Sequence, residues 1–330
     1  MPKCAYCLKD EKNTTFNGTE HVIPYSLGRF EPVNPTIKNL VCDHCNSVIF
    51  NRLESNFKED SYEGFTSQLH NIEGHSCIRL RGKNVKNIKF DWGFNDDFLN
   101  KIFPVLKPEN GEIKAYPVPQ IQLKNHDGVY QVFFPEALAR IKHSPSRFKK
   151  LKEKISRLKD EDILIFTGGK SEEASRESHN SIIDLLKDFG KGYKMKESKY
   201  EEIAEATTKF EFYCDYEIDK DICRTICKIV FNYFLYCLQQ DNLEQLAYRA
   251  EFDKIRGFIL GSNAIDKREV FAPSKRDFIL YQEKEMGKKL KAHILAFSII
   301  DGYIIAHITL FGTNIYDVNI GQPPDELIDD

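Results

Sequence analysis

The sequence predicts an α+β protein in two parts, a small loop-rich segment over residues 1–60 and a larger α+β domain over residues 61–330. Residues 1–60 are dense in Cys, Asn and turn formers, with few long apolar runs, so a core of their own cannot support them. Asp219–Gln240 is apolar on nearly every face, with Ile222, Ile226, Ile229, Val230, Phe234 and Leu238, the pattern of a helix at the centre of a second core. Ala292–Ile300, Tyr303–Phe311 and Asn314–Ile320 read as a β-meander, with Asp301-Gly302 as a hairpin turn.

The remaining elements follow in order. Glu20–Pro24 is a short strand stopped by its proline, and Ser26–Gly28 and Pro32–Pro35 are loop. From Asn46 to Glu54 and just beyond, the spacing of Val48, Ile49, Leu53 and Phe57 predicts a helix. Strands are expected at Cys77–Leu80, Ile88–Trp92, Val129–Phe134, Ile163–Thr167 and Glu211–Glu217, with a Gly168-Gly169 turn after the fourth. Pro135–Leu158 predicts one or two helices interrupted at His143-Ser-Pro145, and Asp219 or Asp221 is the N-cap of the long helix.

With 41% hydrophobic and 29% charged residues the chain is neither disordered nor a collagen-like repeat. Its longest apolar stretches, such as Ile229–Leu238, are about half of the roughly twenty residues a membrane span needs. The N-terminus carries no apolar leader core. A soluble cytoplasmic protein without a membrane partner is therefore expected. The net charge of −3, from 47 basic and 50 acidic residues, does not advertise nucleic-acid binding. Its distribution does: between Leu138 and Lys159 nine basic residues face Glu153 alone. Arg147, Lys149, Lys150, Lys152 and Lys154 form the centre of this strip, which could follow a phosphate backbone.

Nine cysteines, an odd number, suit a reducing compartment. Cys223 and Cys227, one helical turn apart in an apolar run, read as small buried residues. Four others form two matched pairs, Cys4-x-x-Cys7 and Cys42-x-x-Cys45, separated by 34 residues. Two such knuckles are the pattern of a tetrahedral structural zinc site, which would staple a segment that lacks a core.

Between the knuckles stands Glu20-His21-Val-Ile-Pro24, and the second knuckle lies within Asn39-Leu-Val-Cys-x-x-Cys-Asn46. In order and spacing these motifs resemble the HNH, or His-Me finger, endonucleases of the zinc-stapled type, over roughly the first 60 residues. The resemblance implies a ββα-metal finger in an HNN variant. It casts His21 as the general base that deprotonates the attacking water, and Glu20 and Asn46 as oxygen ligands to a catalytic Mg²⁺ or Mn²⁺. Asn39 becomes the residue that fixes the loop and so the orientation of His21. Elementary chemistry agrees, because a neutral imidazole is a competent base near neutral pH and a carboxylate with an amide oxygen suits a hard cation. The expectation is a metal-dependent endonuclease hydrolysing DNA, of prokaryotic restriction or phage-defence type. The other reading is a zinc-dependent nucleic-acid or protein binding module whose nuclease site is idle. One finger cuts one strand, so a homodimer is expected, paired through the helix at Asp219–Gln240 and an edge strand of the terminal meander.

Overall fold

The computed structural model describes residues 2–28, 34–70, 83–91, 102–109, 112–124, 130–167, 172–192, 210–274, 293–312 and 314–327. The strand expected at Cys77–Leu80 and the turn at Gly168-Gly169 lie outside these residues.

The chain begins with two very short antiparallel strands, β1 (Glu20–His21) and β2 (Thr36–Ile37), with Glu20 opposite Ile37 and His21 opposite Thr36. A single 3₁₀ turn at Tyr25–Leu27 occupies part of the loop between them. After β2 the chain turns through Asn39, whose φ of +60° is one that Asn tolerates better than most residues. The second knuckle opens directly into a widely wound helical turn, Cys45–Phe50, which closes with Asn51 N–H donating to the Asn46 carbonyl. It continues as α1 (Asn51–Asp60). The wider winding leaves Val48 exposed and buries Phe50, Leu53 and Phe57. Ser61 ends α1 and caps α2 (Tyr62–Leu69), its Oγ accepting from Gly64 N–H at 2.9 Å. A Cβ on Gly64 would stand 2.3 Å from the Lys58 carbonyl oxygen, so this corner closes only around a glycine.

Next come β3 (Val85–Asp91) and an antiparallel hairpin of β4 (Pro104–Glu109) and β5 (Glu112–Pro117). A three-stranded sheet follows in the order β7–β6–β8, built from β6 (Gln120–Lys124), β7 (Tyr130–Phe133) and β8 (Ile163–Phe166). Helices α3 (Pro135–Lys142) and α4 (Pro145–Arg157) break at His143-Ser144, each started by its proline. Then come α5 (Glu172–Asp188) and β9 (Glu211–Tyr216), the latter paired with β3. Ile121, Leu123, Leu138, Ile155, Ile163, Ile182, Leu186 and Phe189 form the core of this region.

The last third opens with α6 (Lys220–Gln240), capped by the Asp219 carboxylate accepting from Ile222 N–H at 2.9 Å. It continues through α7 (Asp253–Leu260) and β10 (Phe271–Pro273) to β11 (Ile294–Ile300), β12 (Tyr303–Thr309) and β13 (Ile315–Gly321). These four strands form one antiparallel sheet in the order β10–β13–β12–β11. Asp301 and Gly302, both at positive φ, make the turn between β11 and β12.

Two compact units result, one of residues 1–75, 79–86 and 215–330, the other of residues 76–78 and 87–214. The division expected at residue 60 therefore does not coincide with the compact units. Val22, Leu27, Ile37, Leu53 and Phe57 of the finger share one core with Ile226, Val230 and Phe231 of α6 and with Ala306 and Val318 of the sheet. The helix expected at the centre of a second core is also the floor of the finger. It is consumed there, and its apolar faces are not available to pair with another copy. No helix among the described residues is long and apolar enough to cross a membrane.

Candidate active site

The four cysteines of the knuckles converge. Cys4 Sγ lies 3.8 Å from Cys45 Sγ and Cys7 Sγ 3.7 Å from Cys42 Sγ, and all four lie within 4.8 Å of one another. Sulfurs about 2.3 Å from a tetrahedral zinc stand about 3.8 Å apart, so the cluster is compatible with a structural zinc site. Its acid–base chemistry agrees. The hydrogen bond from Cys45 holds the Cys4 thiol down to about 5, whereas Cys7, pushed up by burial, sits at about 11. Cys45 is pushed up as well, first by its bond to Cys4 and then by burial. Burial thus works against charging Cys7 and Cys45, and a bound divalent cation is what would favour their thiolates. Among the described residues no other group of three His, Cys, Asp or Glu is placed to hold a metal. Cys223 and Cys227 are fully buried in α6 as small residues.

Beside this staple the residues singled out from the sequence come together on β1 and the start of the following helix. Asp43, inside the second knuckle, accepts from Thr15 Oγ1 at 2.5 Å and from Gly18 N–H at 2.8 Å, which fixes the loop leading into β1. The first of those bonds holds its carboxyl below the usual range. Asn46 then donates from Nδ2 to the Thr19 carbonyl at 3.3 Å, placing its side chain at the entrance of β1. His21 is half-buried, its ring 4.0 Å from that of Tyr25. Its Nδ1 is shielded from solvent and has no hydrogen-bond partner. Burial lowers its pKa; the nearby Glu54 opposes the shift and Lys228 adds to it. The downward shift favours the neutral imidazole, the form a general base must have.

Two placements differ from expectation. Asn39 is exposed, no hydrogen bond joins its side chain to His21, and its contribution is the left-handed turn. Glu20 is no open ligand: only 4% of it is exposed, and it forms an ion pair with Lys228 of α6. The amide of Asn232, also on α6, donates to Glu20 Oε1 at 2.8 Å and to the His21 carbonyl at 3.1 Å. That amide is itself held by Tyr6, whose hydroxyl donates to Asn232 Oδ1 at 2.5 Å. Lys228 is fully buried and also pairs with Glu54 of α1. Burial works against its charge, but Glu20 and Glu54 outweigh it, so its pKa is raised and the ammonium persists. Lys228, Asn232, Glu54 and Tyr6 were not singled out from the sequence. The available signal was two polar residues, Lys228 and Asn232, four apart in the largely apolar stretch from Ile226 to Leu238.

The basic strip lies on α3 and α4 in the other unit. Arg147, Lys149, Lys150 and Lys152 are exposed there. Lys142 is paired with Asp188 at 2.6 Å, and Lys154 donates to Gln131 Oε1 at 2.8 Å, which leaves Lys154 less free than its neighbours.

A strand pair followed by a helix, with four clustered cysteines beside them and a histidine on the first strand, make up a ββα arrangement. Residues 4–61 match the family model of an HNH endonuclease, and this segment is an HNH endonuclease domain. Comparison with curated proteins and with solved structures gives no match.

Proposed function

We propose that the protein is an endonuclease that hydrolyses DNA phosphodiester bonds, with His21 as the general base. The observation that supports this best is the His21 imidazole on β1, its Nδ1 unpartnered, inside the segment that matches the HNH endonuclease model. An imidazole nitrogen that no protein group engages keeps its lone pair for a proton, which it would take once substrate binding brings the attacking water to it. Asn232 holds the His21 backbone and Tyr25 lies against its ring, so the base is oriented before substrate arrives. Zinc at Cys4, Cys7, Cys42 and Cys45 serves structure alone. Glu20 and Asn46 supply the hard oxygen donors that would hold Mg²⁺ or Mn²⁺, which when bound neutralises charge on the phosphoryl and leaving oxygens.

The exposed lysines and arginine of α4 track the phosphate backbone, with no sequence preference of their own. A role in restriction or phage defence, in the cytoplasm of a prokaryote, is the setting that suits a finger nuclease joined to a second compact unit. Double-strand cleavage then needs a second copy, for which β11, at the edge of its sheet, is the place of contact. Light scattering that shows a monomer both with and without DNA removes the dimer.

The test is plasmid nicking in Mg²⁺ or Mn²⁺. His21→Ala is expected to lose on the order of 10²–10⁴ in rate while still binding DNA; cleavage by this variant at the wild-type rate overturns the assignment. Reversing the charge of Lys149, Lys150 and Lys152 is expected to weaken DNA binding and to flatten its salt dependence, the slope falling by about 0.9 for each phosphate no longer neutralised. The idle-site reading has one observation in its favour, that Glu20 is already ion-paired. Wild-type cleavage that depends on His21 excludes it.

A further inference from the structure

We propose that Lys228 is the resident counter-ion of Glu20, that a divalent cation binds this carboxylate only by displacing the ammonium, and that α6 thereby sets the cation affinity of the site. The proposal rests on reading Glu20 as the ligand of the nuclease centre. Lys228 is wholly buried and its Nζ contacts both Glu20 Oε1 and Glu54 Oε1, while Phe50 lies beneath the ammonium with its ring centroid 5.2 Å away. Glu20 Oε1 thus already carries a full positive charge. A second, divalent charge brought to the same carboxylate would meet strong repulsion in surroundings this dry, so the two cations exclude each other.

What makes the exchange possible is Glu54. A buried ammonium stripped of its only partner would be strongly destabilised. Lys228 has two partners, and the side chain of Glu54 is 29% exposed whereas that of Glu20 is 4% exposed. The ammonium can therefore leave Glu20 and stay paired with Glu54. Asn232 meanwhile keeps its hydrogen bond to Glu20 Oε1, so the carboxylate holds its position through the exchange. The three charged groups sum to −1, which a divalent cation can reverse without stranding any of them.

The experiment uses the full chain, zinc-loaded, with Mn²⁺ alone as the probe, its binding followed by electron paramagnetic resonance. Lys228→Met is expected to bind Mn²⁺ at least tenfold more tightly than wild type, and adding Glu20→Gln is expected to abolish the gain. An unchanged or weaker affinity in Lys228→Met, or a gain that survives Glu20→Gln, overturns the proposal. Should Lys228→Met fail to fold, the wild-type protein decides. With ¹⁵N-labelled lysine, the protected ammonium signal of Lys228 is expected to shift or vanish in step with added Mg²⁺. A signal unchanged at the Mg²⁺ level that saturates cleavage, or at tens of millimolar, overturns it. The nuclease reading is judged separately by nicking with His21→Ala, so either can fall while the other stands.

Discussion

The finger and the inserted unit solve the problem of a small core in opposite ways. The inserted unit packs its own sheet, β7–β6–β8, against α3, α4 and α5, and the residues of that core cluster all come from within residues 121–189. The finger has two strands of two residues each and cannot do this. It closes one side with four cysteines and the other with a helix that begins only at Lys220. Tyr6 shows the consequence: its ring packs edge-on against Phe50 of the finger at 4.7 Å and Phe231 of α6 at 5.3 Å. Among the described residues the unit rich in its own packing offers surface charge on α4, whereas the unit that shares its core with α6 carries the candidate site. That sharing brings Lys228 and Asn232 to Glu20 and His21, side chains that the finger alone could not supply.

The largest effect expected from breaking this contrast is loss of the staple. Apparent binding energies in small zinc domains are about 10–16 kcal/mol, more than most whole domains have in reserve. Chelation, or Cys42→Ser, should unfold residues 4–61 and leave the inserted unit folded. Hydrogen exchange with elemental analysis checks this, and well-folded finger amides in protein free of zinc would refute it.

Next in size is the shared core. Phe231→Ala should cost about 3–5 kcal/mol and should expose amides of β1 and β13 together, because both lean on α6. Ile155→Ala, a loss of about 2–5 kcal/mol, should be felt only within the inserted unit. Protection in the finger that survives Phe231→Ala would mean that the finger is independent of α6.

Much of this was legible in the sequence where the local signal is strong. The break between α3 and α4 follows from His143-Ser-Pro145, the cap of α6 from Asp219, and the β11–β12 turn from Asp301-Gly302. The knuckles and the Glu-His and Cys-Asn motifs pointed to the segment that matches the HNH endonuclease model and to the cysteine cluster within it. The β4–β5 hairpin was missed because Pro104, Pro108 and Pro117 argue against strands, although an Asn110-Gly111 pair stands between them. Helix α5 was missed because its first half is almost wholly polar. The dependence of the finger on α6 could not be read at all. Periodicity shows that a face is buried and never says against what, and Lys228 and Glu20 are too far apart in sequence for any local pattern to join them.

A smaller effect isolates the polar link between the two parts of the site. Asn232→Ala takes the partner from the buried Tyr6 hydroxyl, at about 1–3 kcal/mol for an unsatisfied group, and leaves Glu20 held by Lys228 without its amide donor. Asn232→Asp should do worse than its size suggests, since it brings a second carboxylate against Glu20. Urea denaturation of the two variants ranks them, and an aspartate variant as stable as wild type would show that Lys228 neutralises both.

The smallest effect concerns pH, and again it falls on what the finger takes from outside itself. His293, just ahead of β11, donates from Nε2 to the Leu27 carbonyl at 2.9 Å, and its Nδ1 accepts from Phe311 N–H at 3.2 Å. That pattern requires the neutral ring, because a proton on Nδ1 would face the Phe311 N–H. Burial pushes its pKa down, and His70 adds to the shift. An unfolded histidine titrates near 6.5, so below that pH the unfolded chain binds more protons than the folded one, and stability rises with pH. His293 therefore contributes stability that is fully present above about 6.5 and is lost as pH falls from there through its depressed folded value. The slope is at most about 1.4 kcal/mol per pH unit for one group. The bond at risk anchors Leu27, the end of the turn whose Tyr25 lies against His21. His293→Gln, which carries no titrating proton, should flatten the slope of stability below about pH 6.5, and the amides of Tyr25–Leu27 should lose their acid sensitivity with it. An unaltered slope in the variant would place the acid-labile bond elsewhere and free the finger from this second dependence on the C-terminal sheet.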